Sequence, residues 1–386
     1  MKIGIEGQRL FRKKKHGMDM VALELIKNLQ KIDQVNEYVI FVKPDADNTC
    51  IPEAPNFKVV ELSSKFGYPG WEQIELPKAA YKEGCDVLHC TSNTGPIFCK
   101  VPLVTTLHDI IYLESISIFK KEGTWYQKLG NMYRRFFVPP VIKRSRKVIT
   151  VSNYEKNRIN NFFGFNDNRL TAIYNGVGDH FKKVTDNLTL QSIKKEFELP
   201  DNFFFFLGNT DPKKNTIGVL KAFAEFNSFY PNQYKLVMLD YDETELQRLL
   251  ASINAPELRK LIHLAGYVPN VKLPSIISQA TIFLYPSLRE SFGIPILEGM
   301  ACGITVITSN TSSMPEVAGS DAALIIDPFN PKEIAQAMRN LVEDKMLANV
   351  LAEKGIERAK NFSWKVMAQN VLELYEDVYH ELKMPL

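Results

Sequence analysis

Short apolar runs alternate with segments of helical period along nearly the whole chain. In the first half the runs are "EYVIFV", "DVLHC", "VPLVTTL" and "KVITVS", separated by patterns such as "MVALELIKNLQKI", whose apolar residues recur at the spacing of one helix face. The second half repeats the style with "NFFFFLG", "YKLVMLD", "LIHLAG", "ATIFLYPS", "ITVITS" and "AALIID". Strands alternating with helices predict parallel sheets flanked by helices. The simplest architecture is an α/β chain of two Rossmann-like, doubly wound units. Asn175, Gly176 and Gly178 break the periodicity before the helical segment "LQSIKKEF", which places the units at 1–178 and 179–362. From about residue 363, "SWKVMAQNVLELYEDVYHEL" reads as one long amphipathic helix whose apolar face needs a partner.

Length agrees with this division, since 386 residues at about 150 per domain make two domains, each able to bury a core. Composition excludes a disordered chain: 45% of residues are hydrophobic and 24% charged. The opening "MKIGIEG" has no long apolar stretch behind its lysine, and no window approaches the roughly 18 uninterrupted apolar residues of a membrane span. The chain is expected to be neither secreted nor membrane-spanning. Five cysteines without a C-x-x-C pair disfavour a zinc site and a disulfide framework and fit a reducing cytoplasm.

Charge is unevenly distributed. Residues 1–180 carry 26 Lys and Arg against 19 Asp and Glu, net +7, and the remainder 21 against 25, net −4. In the basic half, "FRKKKH" and "WYQKLGNMYRRFFVPPVIKRSRK" mix cations with aromatics, as segments lying on a membrane surface do. A simply solvated basic face has the same composition. Nucleic acid is not an expected partner.

The stretch that carries chemistry is "YPSLRESFGIPILEGMACGITVITSN", residues 285–310. It reads as a strand, an exit loop "RESFG", a helix of about two turns with Pro295 in its first turn and Gly303 as its stop, and the strand "ITVITS". Ligands of doubly wound sheets bind beyond the carboxyl ends of the strands, where helix N-termini offer unpaired N–H groups and a positive dipole end. Glu290 then lies in the loop and Glu298 in the first turns of the helix, bordering one crevice. Carboxylates there accept hydrogen bonds from hydroxyls while amides face an anion, a combination that suits a ligand with diols and phosphates, such as a nucleotide sugar. An exposed Glu290 and a Glu298 that merely complements the helix dipole fit the pattern equally well.

The segment from "LAGYVPNVKLPSIISQATIFLYPS" to "GSDAALIIDPFNPKEIAQAM" resembles the nucleotide-binding half of the family 4 retaining glycosyltransferases of the GT-B fold, whose hallmark E-x7-E falls on Glu290 and Glu298. The likeness continues through "MKIGIEGQRLF", "HGMDMVALELIKNL", "GWEQIELPKAAYKEGCDVLHCTSNTGPI", "VPLVTTLHDIIYL", "VITVSNYEKNRI" and "AIYNGV", and so covers nearly the whole chain; bacterial polysaccharide mannosyltransferases are the members it is most similar to.

The resemblance implies two Rossmann-like domains facing a central cleft, with the terminal helix, 363–386, crossing back to the first. It implies that Glu298 binds ribose hydroxyls, Glu290 a hydroxyl of the transferred sugar, and the backbone of Phe292, Gly293 and Ile294 the sugar and diphosphate. Lys214, with Lys213 beside it, matches the phosphate-binding lysine, and Asn215 or Thr216 is expected to cap the helix that follows. Gly266 stands where the family approaches the base. In the first half, His108 matches a histidine that contacts the transferred sugar, Asp109 follows it at a strand's carboxyl end, and Gly17 matches the first glycine of a loop that admits the donor phosphate. A lone histidine is otherwise more often structural. Two positions depart from the family pattern. Asp19 replaces a second glycine, which makes it an acceptor-hydroxyl ligand or a helix cap, and "DYDETE" replaces a glycine-rich turn. The Asp-x-Asp of residues 240–242 imitates a metal signature of the other major glycosyltransferase fold, yet it opens an acidic helix, so Asp242 is expected to be a cap. No metal or other cofactor is expected.

The implied activity is transfer of a hexose from a nucleotide sugar, GDP-mannose or a UDP-sugar, to a glycan or lipid-linked acceptor in cell-surface polysaccharide synthesis. Anomeric configuration is retained, and the enzyme works in the cytoplasm with contact to the inner membrane face through its basic half. A sugar phosphorylase, a nucleotide-sugar epimerase and a non-catalytic nucleotide-sugar-binding protein are the alternatives on this fold.

Overall fold

The computed structural model describes residues 1–114, 125–165 and 168–384. The chain forms two compact units, the first comprising Met1–Gly176 and Trp364–Leu386 and the second Val177–Ser363.

The first unit is built on seven strands: β1 (Lys2–Glu6), β2 (Glu37–Val42), β3 (Phe57–Glu61), β4 (Val87–Cys90), β5 (Leu103–Thr106), β6 (Lys147–Thr150) and β7 (Leu170–Ala172). They lie in the order β3-β2-β1-β4-β5-β6-β7, each parallel to its neighbour. The second unit has β8 (Phe203–Phe206), β9 (Lys235–Met238), β10 (Ile262–Leu264), β11 (Ile282–Tyr285), β12 (Val306–Ser309) and β13 (Leu324–Ile326), in the order β10-β9-β8-β11-β12-β13 and again all parallel. Helices cover both faces of such sheets, so the central strands are apolar at every position. All four phenylalanines of β8 are buried, as is each residue of β11. The ten apolar runs of the sequence are all strands. Three strands lie outside those runs: β1, in the opening "MKIGIEG", β3, mostly exposed at the sheet edge, and β7, only three residues long.

In both sheets the strand order reverses once, between β1 and β4 and between β8 and β11. Loops leaving the carboxyl ends of those two strands diverge in opposite directions and open a crevice between them.

The helix Trp364–Lys383 belongs to the first unit, where Met367, Ala368, Val371, Leu374, Tyr375 and Val378 bury its apolar face. It packs on the helix Gly17–Ile32 and reaches the sheet through Tyr375, whose hydroxyl lies 2.5 Å from His89 Nδ1. His89 Nε2 meets Thr106 Oγ1 at 2.7 Å. Burial lowers the His89 pKa to about 3, so this imidazole is a neutral link in the core.

Candidate active site

Lys214 and Glu290 leave the strands on either side of the second unit's reversal, one after β8 and the other after β11. Asp211 caps the single turn Pro212–Lys214 by accepting from the Lys213 amide at 3.1 Å. Lys214 Nζ then donates to Glu290 Oε1 at 2.6 Å and to the Tyr285 hydroxyl at 2.9 Å. Both charged side chains are well covered, 16% and 12% exposed, so the attraction acts in a medium that screens it far less than water. Lys213 turns away to the surface, 44% exposed, and lies 3.5 Å from Asp211.

The strand-exit loop carrying Glu290 is fixed from two sides. From the β8 side, Lys213 O accepts from the Leu288 amide at 2.7 Å, and Asn215 Nδ2 donates to Pro286 O at 3.0 Å and Pro328 O at 2.7 Å. Asn215 does occupy the cap position of the helix Thr216–Phe229, in a left-handed conformation (φ 61°), but it makes no side-chain cap. Its amide is drawn instead to two carbonyls distant in sequence. Gly218 is the residue that leaves room for it, because a Cβ there would stand 2.3 Å from Asn215 Oδ1.

From the β12 side comes a row of hydroxyls. Thr308 Oγ1 donates to Tyr285 O at 3.1 Å, Ser309 Oγ to Ser287 O at 2.6 Å and Thr311 Oγ1 to Leu288 O at 3.0 Å. Ser312 Oγ accepts from the Glu290 amide at 3.0 Å, and Ser313 Oγ lies 2.9 Å from both Glu290 O and Phe292 O. A strand-exit loop has no ladder to satisfy its backbone, and these side chains supply the partners. The run "TSNTSS", which sequence reading did not single out, thus finds its partners at residues 285–292.

The helix Ile294–Ala301 starts at Gly293, which holds φ 101°, a conformation side chains other than hydrogen rarely adopt. Pro295 lies in its first turn, and Gly303 (φ 70°) follows its end. Phe292 is buried with its ring 5.9 Å from that of Phe362, so it is the backbone here that is presented at the helix start. The Ile294 amide, in the first turn, is beyond reach of any helical carbonyl and faces out along the dipole. Glu298 is partly buried, and burial raises its pKa to about 7; its charge is felt by Tyr285 and Cys302. Near neutral pH such a carboxyl gains from any hydroxyl that donates to its ionised form.

Gly266 (φ 69°) accepts from the Asp240 amide at 3.0 Å, and a Cβ on it would meet nothing within 4 Å. Asp240 itself takes φ 40°. Asp242 caps the helix Glu243–Ser252 by accepting from the Glu245 amide at 2.8 Å. That local role is the one its sequence context predicted.

In the first unit, His108 follows β5 and is buried, its amide donating to Asn93 Oδ1 at 2.6 Å and its Nε2 lying 3.1 Å from Thr91 O. Only a protonated Nε2 can donate to a carbonyl, which leaves Nδ1 with the lone pair in the neutral ring. Burial lowers the His108 pKa, against the opposing pull of the Thr91 bond and the Asp109 and Asp19 charges. Asp109 Oδ1 accepts from the Ile111 amide at 3.1 Å. Asp19 is buried in the first turn of Gly17–Ile32, where Oδ2 accepts from the His16 amide at 3.0 Å, so of its two expected roles the cap is the one observed. Gly17 has open space where a Cβ would stand.

Sequence reading did not single out Glu72. It lies in a π-helical turn, Trp71–Glu75, fully buried, and accepts from Tyr68 (2.6 Å), Tyr133 (2.6 Å), Gln73 (2.8 Å) and Thr94 (3.1 Å). The Arg9 guanidinium stacks over the Tyr68 ring at 5.7 Å.

Two family models match the chain, "Glycosyl transferases group 1" over residues 189–358 and "Glycosyltransferase Family 4" over residues 16–180. The chain belongs to the family 4, group 1 glycosyltransferases. It is 26% identical over 273 residues to O-antigen chain mannosyltransferase B of Escherichia coli, an alignment covering 71% of this chain and 70% of that protein. It is 25% identical over 246 residues to the serotype-specific mannosyltransferase WbdA of Escherichia coli, covering 62% of this chain but about a third of that longer protein (30%). Among solved structures, Anabaena HepE in complex with UDP-glucose superposes with a TM-score of 0.74 at 16% identity, covering 98% of this chain and 100% of that one. The fold of this glycosyltransferase is therefore GT-B.

Proposed function

We infer that this glycosyltransferase moves a hexose, mannose by preference, from a nucleotide sugar to a glycan or lipid-linked acceptor in cell-surface polysaccharide synthesis, with retention of anomeric configuration. One observation carries the reading: Lys214 and Glu290 meet at the reversal of the second sheet, beside the N-terminus of Ile294–Ala301. A cation and first-turn amides suit a diphosphate, while neighbouring carboxylates suit sugar alcohols. Lys214 and the amides of Gly293 and Ile294 take the diphosphate, Glu290 a hydroxyl of the transferred sugar and Glu298 the ribose, with the base toward Gly266. Similarity to mannosyltransferases supports a mannose donor, for which we take GDP-mannose, and UDP-glucose in the HepE complex makes a UDP-sugar the other candidate.

The anomeric C–O bond breaks toward an oxocarbenium-like state as the nucleoside diphosphate leaves, and its charge falls on groups already in place. The acceptor oxygen attacks the same face, and its proton passes to the departing phosphate oxygen. His108 and Glu290 act by position and field. No metal is assigned a role, since Lys214 and the helix start face the charge that a metal would otherwise offset. Contact with an anionic membrane face through the basic first unit brings the enzyme to a lipid-linked acceptor. Among the described residues no helix is long and apolar enough to cross a membrane.

The test is thermal stabilisation by a panel of nucleotide sugars followed by sugar release from the one that binds. Glu290→Ala should lower release by roughly 100-fold or more. Equal release by the variant would remove Glu290 from the reaction.

A further inference from the structure

Tyr285 ends β11 beside the Lys214–Glu290 pair and is 2% exposed. It accepts from Lys214 Nζ at 2.9 Å, and the ammonium also lies 5.1 Å from the centre of its ring. Burial and the nearby Glu290 charge hold the phenol well above its ordinary pKa, so it keeps its proton. Lys214 thus joins a cluster of three, donating to both Glu290 and the Tyr285 hydroxyl.

The two charged members both have unspent capacity. An ammonium carries three donors, of which Glu290 and Tyr285 take two, and the second carboxylate oxygen of Glu290 keeps lone pairs of its own. Tyr285 is the member without a formal charge and, as the last residue of a fully buried strand, the one anchored in the core. We propose that Tyr285 is a positioning residue of the transfer site: its hydroxyl is a bridge from the buried strand to Lys214 Nζ, holding the cation that faces the diphosphate in place beside the carboxylate that faces the sugar. Without the bridge, a flexible lysine collapses onto Glu290 alone, and each neutralises the other where the donor needs both.

This rests on the functional reading above and is tested so that the two fail separately. Tyr285→Phe keeps the ring, its contact with Phe283 and hence the fold. A double-mutant cycle with Lys214→Met is measured first by denaturant unfolding without ligand, then by affinity for GDP-mannose and UDP-glucose. Non-additive unfolding energies are expected, together with a roughly tenfold loss of donor affinity from Tyr285→Phe in the wild-type background and less than twofold in Lys214→Met. Additive losses in unfolding, or equal donor losses in both backgrounds, overturn the bridge. Coupling in the unfolding cycle with no nucleotide sugar bound by the wild type would leave the bridge standing and sink the functional reading.

Discussion

The carboxyl edges of the two sheets are built from the same topology and solve different problems. In the second unit, charge is kept available: Lys214 and Glu290 face each other with bonding capacity to spare, while uncharged hydroxyls from Thr308 to Ser313 hold the backbone that carries them. In the first unit, charge is consumed: Glu72 is surrounded by four donors, Asp19 is a cap, and Glu6 accepts from the Gln8 amide at 2.9 Å and from Thr91 Oγ1 at 3.1 Å. His108 is neutral among them. One edge leaves charged groups with bonding capacity to spare, and the other offers a surface whose acids are already satisfied.

The sharpest way to break this contrast is at Glu72. Glu72→Ala takes the acceptor from two tyrosine hydroxyls and a threonine, Gln73 keeping the Gly95 carbonyl, and should destabilise the protein by about 3 kcal/mol, with nucleotide-sugar stabilisation per bound ligand unchanged. Denaturant unfolding with and without donor checks both halves; loss of donor binding in proportion would show that the edges are not independent.

Glu298 sharpens it through pH. Its carboxyl is raised from 4.5 to about 7, so between those values the folded state holds a proton that the unfolded state releases, and stability falls as pH rises through that window. Relative to wild type, Glu298→Gln should gain about 1–3 kcal/mol at pH 8 and little at pH 4, while binding nucleotide sugar more weakly. Parallel unfolding curves at the two pH values would place the carboxyl in an ordinary environment.

The smallest effect is expected at Ser312. Ser312→Ala removes the acceptor for the Glu290 amide and should cost about 0.5–1 kcal/mol and a few-fold in donor affinity, since solvent partly replaces it. A larger loss would mean that the hydroxyl touches donor directly.

The strands were legible because a parallel sheet covered on both faces demands uninterrupted apolar runs, and edge strands such as β3 escaped because half their surface is wet. Local chemistry was equally legible: Asp242 caps the helix that begins at the next residue, through an amide three residues on. What the sequence hid was bonding at long range. Asn215 looks like a cap, and Tyr285 looks like the last apolar residue of a strand; only the fold brings the one to Pro286 and Pro328 and the other to Lys214. The sequence singled out Lys214 and Glu290 for separate duties, and it had no means of showing that they are each other's nearest opposite charge.

The return of Trp364–Lys383 to the first unit bears on how the polypeptide is made. A ribosome releases residues 1–176 long before the segment that completes them, so the nascent first lobe waits with the flank of Gly17–Ile32 bare and His89 lacking its phenol partner until synthesis is almost finished. Translation arrested anywhere before residue 364 yields a product with an open oily furrow, the kind of surface that chaperones and proteases recognise.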